Sequence, residues 1–136
     1  MNAKNLNITF YQNIAKIFYA VAKADNIVAP EELKVLKKVV KENWLQVDET
    51  FDVFGTDTVY QIEIVFDWLF SKNATSEDCY NDFIEYYQNH SYFFTPDIKA
   101  LIIETSGKIA SSFSQKNKSE LVLLAKLSVE FNKEIA

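Results

Sequence analysis

Turn-forming residues are scarce in this chain, whose 136 residues include only two glycines and two prolines. Glycine and proline mark most tight turns, so a chain with so few of them has few turns and long elements. Sandwiches and barrels need many turns, whereas a bundle of helices needs few. Because 49% of the residues are hydrophobic, a chain of this length can bury a proper core. The composition favours a single helical domain over residues 1–136.

Apolar residues recur at steps of three and four through six segments, and no alternating strand pattern competes with them. Hydroxyl or amide caps, first-turn prolines and acids mark the helix starts. The predicted starts are Pro30, Thr75 or Ser76, Thr95 with Pro96 and Asp97, and Asn117 with Glu120. Gly55, in a stretch that breaks the pattern, predicts a helix end or turn. The sequence therefore predicts an all-α bundle of about six to seven helices.

The helical spacing also predicts which side chains face the core. They are Tyr11, Ile14, Ala15, Phe18, Ala22, Leu33, Leu36, Val40, Trp44, Val59, Ile62, Val65, Phe66, Leu69, Tyr80, Phe83, Ile84, Tyr87, Ile98, Leu101, Ile102, Ile109, Phe113, Leu121, Leu124, Leu127 and Phe131. Ile17 and Val21 widen the stripe of the first helix, which is therefore expected to pack on more than one side.

A weak internal repeat appears at an offset of 88 residues, from Leu33 to Leu121. The matched pairs are Ile14 with Ile102, Val21 with Ile109, Ala22 with Ala110, Leu36 with Leu124 and Glu42 with Glu130. Two explanations fit these matches: a degenerate duplication of a helical hairpin, or chance agreement between apolar helices.

The charge balance bears on partners and location. The chain has 14 basic and 19 acidic residues, a formal net charge of −5 and no arginine, so we expect no direct binding to nucleic acid. Its one cysteine, Cys79, excludes an internal disulfide and fits a reducing compartment. No export signal and no apolar run of about 18 residues is present. We expect a cytoplasmic protein without membrane insertion.

Carboxylates gather where the first helix turns into the second. Asp25 ends the first helix, and Glu31 and Glu32 occupy the first turn of the second. A tight antiparallel turn brings these three side chains to one rim, where oxygen ligands of this kind suit Ca²⁺ or Mg²⁺, and Asn26 adds an amide carbonyl. The alternative is helix punctuation, because acids are favoured in a first helical turn in any case.

The stretch "FYAVAKADNIVAPEELKVLKKVV" resembles the first motif of the TerB-like family, a group of helical domains associated with bacterial tellurite resistance. The matching residues are Ala24, Asp25, Pro30, Glu31, Glu32, Leu33 and Leu36, and the resemblance covers about residues 10–45.

This resemblance implies an all-helical, pseudo-duplicated domain with stress-response associations and a divalent-cation site at Asp25, Glu31 and Glu32. Asn26 stands where the family usually has glycine. At the repeat offset, Phe113 occupies the position equivalent to Asp25. The second acidic motif is therefore lost, and at most one cation site is expected.

Other groups of residues are weaker candidates for a metal or catalytic site. His90 and Cys79 lie eleven residues apart without a further nitrogen or sulfur ligand, which argues against zinc. One histidine without a nucleophile motif argues against a catalytic triad, and two isolated glycines cannot form a phosphate-binding loop. We expect no catalytic residues, and His90 is interpreted as a helix-end residue.

An aromatic run, "CYNDFIEYYQNHSYFF", covers residues 79–94. Its aromatic side chains cannot all face one way from a single helix, and two interpretations remain: packing under the following loop, or a surface for a partner.

Three functions follow from these features. The first is a non-catalytic, stress-associated binding domain of the TerB-like type with an unknown protein partner, sensitive to Ca²⁺ or Mg²⁺ through Asp25, Glu31 and Glu32. The second is a structural helical adaptor or homo-oligomer that binds no metal. The third is a hydrolase that uses the same acids to hold a catalytic metal.

Overall fold

The computed structural model describes residues 8–24, 30–51, 55–113 and 119–133. Every regular element in these ranges is helical, which confirms the predicted all-α bundle. The elements are α1 (Ile8–Ala22), α2 (Pro30–Phe51), α3 (Gly55–Ser71), α4 (Ser76–Asn89), a short 3-10 helix (Ser91–Phe93), α5 (Pro96–Phe113) and α6 (Ser119–Asn132).

Helix α1 is the central element of the bundle. It packs against α3, α4 and α5, with smaller contacts to α2 and α6. Its side chains from Phe10 to Ala22 are buried on almost every side, and Ile17 and Val21 are fully buried, as the widened stripe predicts. A helix that is apolar all round is stable in water only when other elements surround it. The remaining helices therefore form a layer around α1.

Local signals place the helix starts correctly. Thr75 is the N-cap of α4, and its hydroxyl oxygen accepts a hydrogen bond from the Asp78 backbone N–H at 3.1 Å. Thr95 does the same for α5, accepting from the Ile98 N–H at 3.2 Å. Pro30 and Pro96 are the first residues of α2 and α5, where a missing N–H costs nothing. The capping pair that begins at Asn117 lies outside the described residues.

Gly55 differs from its prediction. It is the first residue of α3, so it begins a helix where the sequence predicts a helix end or a turn. The preceding helix, α2, continues through Phe51 into the segment whose polar residues break the apolar pattern. The helix continues beyond the apolar pattern because polar residues interrupt an apolar stripe without breaking the helical backbone.

Most of the predicted core positions are buried. Leu33, Ile84, Leu101 and Leu124 are only partly buried at its margin, and the side chains of Val59 and Phe113 lie outside the described part. Leu121 is wrong as a core residue, because 58% of it is exposed. Helix α6 has apolar residues on all its sides, so its spacing does not distinguish a buried face from an exposed one.

Some of the apolar positions matched by the proposed repeat are similarly buried, whereas Leu36 is fully buried and Leu124 only partly. Ile14 and Ile102 have no exposed surface, and the same holds for Val21 and Ile109. Burial of this kind fits a duplicated hairpin and equally fits two unrelated core helices, so the duplication stays a prediction.

Candidate functional site

The acidic turn between α1 and α2 is only partly described. Glu31 and Glu32 lie in the first turn of α2, with Glu31 exposed and Glu32 partly exposed. Asp25 and Asn26 lie outside the described residues, so the geometry of the predicted cation site stays untested. In the described ranges no three acidic, histidine or cysteine side chains lie close enough to hold a metal ion.

The end of α1 is fixed to the start of α4. Lys23 is only 8% exposed and donates a hydrogen bond to the side-chain oxygen of Asn73. Asn73 has a left-handed backbone, with φ of 54°, in the turn between α3 and α4. Ser76 donates to the backbone oxygen of Ala20 at 2.7 Å. These contacts hold the chain in place up to Ala24, immediately before the acidic turn.

Cys79 is a buried thiol on α4. Burial, reinforced by the negative charge of Asp82, raises its pKa to about 11. The neighbouring Tyr19 hydroxyl is buried and has no hydrogen-bond partner within the described ranges, and its pKa is raised to about 12 by burial and by Cys79. At neutral pH both groups are protonated, and the thiolate, which is the reactive form of cysteine, is strongly disfavoured.

His90 ends α4, as the sequence predicts. Its backbone N–H donates to the Tyr86 and Tyr87 carbonyl oxygens, and its Nδ1 lies 3.1 Å from the backbone carbonyl oxygen of Tyr86. The imidazole stacks on the Tyr86 ring at 4.3 Å between centroids and lies parallel to the Phe93 ring. The histidine therefore closes the helix and packs with aromatic rings.

The aromatic run packs into the core, which supports the first of its two interpretations. Tyr86, Phe93 and Phe94 are buried in addition to the predicted core positions. The Phe94 ring centroid lies 5.3 Å from that of Phe10, with the rings tilted, and 5.0 Å from that of Tyr87, with the rings edge to face. The short helix after α4 turns the chain so that Phe93 and Phe94 point inward. Tyr92 is the exception in the run, with 59% of its surface exposed.

Helix α3 carries an exposed apolar stripe that the sequence reasoning missed. Tyr60, Ile64 and Trp68 occupy positions i, i+4 and i+8, and they are 58%, 43% and 52% exposed. Residues at this spacing lie on one face of a helix. The Lys72 ammonium lies 4.0 Å from the Trp68 ring centroid and covers part of that ring. We call these three residues the α3 stripe.

Helix α6 carries a second stripe with the same spacing. Leu121 and Val129 are each 58% exposed, and the exposed Ala125 lies between them. Val122, next to this line, is also 58% exposed. The opposite side of the helix holds the buried residues Leu123, Leu127 and Phe131. We call Leu121, Ala125 and Val129 the α6 stripe.

Charges of opposite sign flank the two stripes. Glu63 and Asp67 lie beside the α3 stripe, three residues after Tyr60 and Ile64 respectively. Asp67 is exposed and pairs with Lys37 of α2 at 2.8 Å. Beside the α6 stripe, one residue after Ala125 and one after Val129, are Lys126, whose ammonium lies 5.2 Å from the Tyr80 ring centroid, and the partly buried Glu130. The exposed Lys133 continues the α6 stripe by one more turn and pairs with Glu130 at 2.9 Å.

The signal for these stripes is present in the sequence. Helix α3 has two apolar ladders, one through Ile62, Phe66 and Leu69 and the other through Tyr60, Ile64 and Trp68. A helix with two separate rows of apolar residues can bury only one of them in a one-sided contact with the core. Recognising the second row would have predicted an exposed apolar face.

No family model, curated protein or solved structure matches this chain. Among the described helices, none combines the length and the apolar character needed to span a membrane.

Proposed function

We propose that this chain acts by binding another protein chain through the stripes on α3 and α6. The observation that carries the proposal is the exposure of Tyr60, Ile64 and Trp68 in one line. An aromatic side chain buries roughly 150–250 Å² when a partner covers it. About half of the surface of Tyr60 and of Trp68 is still exposed to solvent. Tyrosine and tryptophan are also the residue types that most often anchor protein interfaces.

The second stripe strengthens this assignment. Scattered single apolar residues are ordinary on a protein surface, whereas contiguous patches of a few hundred Å² often mark binding sites. Both stripes lie on helices that pack against the core, so the backbones that carry their side chains are in position before a partner arrives. Preorganised side chains lose less conformational entropy on binding.

Site-specific photocrosslinking in the native cells tests the proposal. A photoreactive phenylalanine analogue is placed at Ile64, at Val122 and, as a matched control on the exposed face of α4, at Gln88. We expect discrete protein adducts from the two stripe positions and none from Gln88. Equal labelling at all three positions, or no protein adduct at either stripe, would contradict the proposed function.

A divalent-cation site at Asp25, Glu31 and Glu32 is a second proposal, and it extends the TerB-like resemblance. It is supported by the short connection between Ala24 and Pro30, which keeps Asp25 within a few residues of the first turn of α2. A bound Ca²⁺ or Mg²⁺ would relieve the repulsion among the three carboxylates and tie α1 to α2.

Thermal unfolding with added metal tests this site. For a dissociation constant of about 0.1 mM and a tenfold excess of ligand, binding adds roughly 1.4 kcal/mol to stability. In a domain of this size that raises Tm by a few degrees. Asp25→Asn should abolish the shift, whereas Asp97→Asn, which changes a first-turn acid of α5, should preserve it. An unchanged Tm of the wild type in millimolar Ca²⁺ and in millimolar Mg²⁺ would rule out a useful site.

A further inference from the structure

We propose that the α3 stripe docks onto the α6 stripe of a second copy of this chain, so that copies associate head to tail. The inference rests on the proposed function and names the partner of both stripes. It follows from the matching spacing of the two stripes, the complementary sizes of their middle residues, and the opposite charges of Lys126 beside one stripe and Glu63 and Asp67 beside the other.

The side chains of the two stripes are complementary in size at the middle turn. Each stripe places three residues at successive helical turns, and aligning the middle positions sets Ile64 against Ala125. The large Tyr60 and Trp68 then lie opposite Leu121 and Val129. The larger pairs at the two ends set the distance between the helices, and the longer Ile64 side chain fills the space above the small Ala125.

The flanking charges determine the direction of the two helices. Consider two parallel helices that touch along one stripe each. The residues one position after the stripe of one helix then lie next to the residues three positions after the stripe of the other. In this direction Lys126 of one copy meets Glu63 and Asp67 of the next. Lys126 and Asp67 are themselves exposed, and contacts made by exposed charges contribute little to stability, so both side chains can turn to a new partner at small cost.

Contacts between identical stripes are less favourable. When a two-fold axis perpendicular to the helices relates two identical helices, the helices are antiparallel. The same flanking residues of the two copies then lie next to each other. Two α3 stripes would then bring Glu63 and Asp67 against the same residues of the other copy, and two α6 stripes would bring Lys126 against Lys126. A contact between α3 and α6 avoids this repulsion, and because it joins two different faces it builds rings or open chains.

Sedimentation velocity of the purified chain and its variants tests the proposal. Wild type, at concentrations from about 20 µM to 1 mM, which cover the weak affinities expected of a small interface, should form species larger than a dimer. Ile64→Glu lacks a working α3 stripe and Ala125→Glu lacks a working α6 stripe, so each alone should be monomeric. Gln88→Glu adds the same charge on α4 and should behave as wild type.

The decisive sample is an equimolar mixture of Ile64→Glu and Ala125→Glu. One intact α3 stripe and one intact α6 stripe remain between the two variants, so the mixture should form a dimer and nothing larger. Circular dichroism spectra and melting curves establish that each variant is folded, and Trp68→Ser replaces Ile64→Glu if that variant is not.

Charge reversal supplies an independent measurement. Lys126→Glu should weaken self-association at least tenfold, and adding Glu63→Lys to the same chain should restore it. A reversal that leaves the association unchanged would overturn the α3-to-α6 pairing.

Other results overturn the proposal in distinguishable ways. Self-association of Ala125→Glu alone would mean that α3 pairs with α3, and self-association of Ile64→Glu alone would mean that α6 pairs with α6. A wild type that stays monomeric throughout would exclude the second copy as partner. In that case photocrosslinked adducts with a different protein would leave the proposed binding function standing, and their absence would remove both.

Discussion

At the scale of single residues, the buried contact between Trp44 and Thr105 joins α2 to α5. The indole Nε1–H donates to the Thr105 hydroxyl at 3.1 Å, and that hydroxyl donates to the Leu101 backbone oxygen at 2.8 Å. Neither Trp44 nor Thr105 has exposed surface. A buried donor that loses its acceptor has no water to replace it, so its full desolvation cost remains.

Thr105→Val tests this contact with a side chain of the same shape. The substitution leaves the Trp44 N–H without an acceptor, so it should lower the free energy of unfolding by about 1–3 kcal/mol. Thr105→Ser keeps the hydroxyl and loses only a methyl group, so it should cost less than the valine variant. Urea unfolding monitored by tryptophan fluorescence gives both values, and a valine variant as stable as the serine variant would contradict the assigned hydrogen bond.

The Cys79 thiol permits a prediction on reactivity. Its pKa, raised from 9.0 to about 11, reduces the thiolate fraction near pH 8 by about 100-fold relative to an unperturbed cysteine. A disulfide reagent should therefore label the native chain at least 100-fold more slowly than the chain unfolded in guanidinium at the same pH. Native labelling within tenfold of the unfolded rate would show that the thiol is accessible and ionisable.

The same thiol affects stability at alkaline pH. The folded state holds its proton more tightly than the unfolded state, so its stabilising contribution is complete below pH 9 and is lost as the pH rises towards 11. Tyr19, with a pKa of about 12, extends this loss to higher pH. Between pH 8 and pH 11, Tm should fall less for Cys79→Ala than for wild type, and parallel decreases would contradict a proton held by Cys79.

At the scale of elements, α4 depends on its N-cap. Thr75→Ala removes the oxygen that accepts from the Asp78 N–H and should cost about 1 kcal/mol. Thr75→Ser keeps that oxygen and should cost much less. In a domain of this length the alanine variant should melt about 3 °C below wild type. Equal melting temperatures for the alanine and serine variants would mean that the cap does not stabilise α4.

Helix starts and core ladders could be predicted because they depend on local chemistry. A threonine before a first-turn acid satisfies backbone N–H groups wherever it occurs, and Thr75 and Thr95 both do so. Apolar spacing is equally local and identified Phe18, Phe66 and Phe83 as buried. These features need no knowledge of which helix lies next to which.

The choice between two apolar faces could not be predicted in the same way. Leu121 and Leu127 both fit the helical spacing of α6, and only contact with α5 and α1 decides that Leu127 is buried. The same ambiguity concealed the α3 stripe, because both of its ladders have helical spacing. For the acidic turn, Asp25 lies outside the described residues, so its convergence with Glu31 and Glu32 remains a prediction.

At the scale of the whole molecule, α1 couples the helices that carry the two stripes. It contacts both α3 and α6, and its buried residues belong to one continuous core. The stripes are therefore parts of one cooperative unit, and a change that loosens α1 should weaken binding at both. This coupling is why each stripe variant needs its own folding control before its effect on association is attributed to the interface.

The distribution of charge over the molecule leads to the last prediction, which concerns nucleic acid. The net charge is −5, and Lys16, Lys37, Lys108 and Lys133 lie in ion pairs with carboxylates. A phosphate backbone would have to compete with these carboxylates and overcome the overall repulsion. Proteins that bind duplexes non-specifically do so with dissociation constants of roughly 1–100 µM at physiological salt.

We therefore expect no saturable binding of a random duplex DNA or RNA up to about 100 µM protein, measured by fluorescence anisotropy at physiological salt. Lowering the salt from about 200 to 50 mM strengthens genuine phosphate contacts by orders of magnitude, so a weak electrostatic site would appear there first. Saturable binding below about 100 µM that weakens with added salt would contradict the prediction.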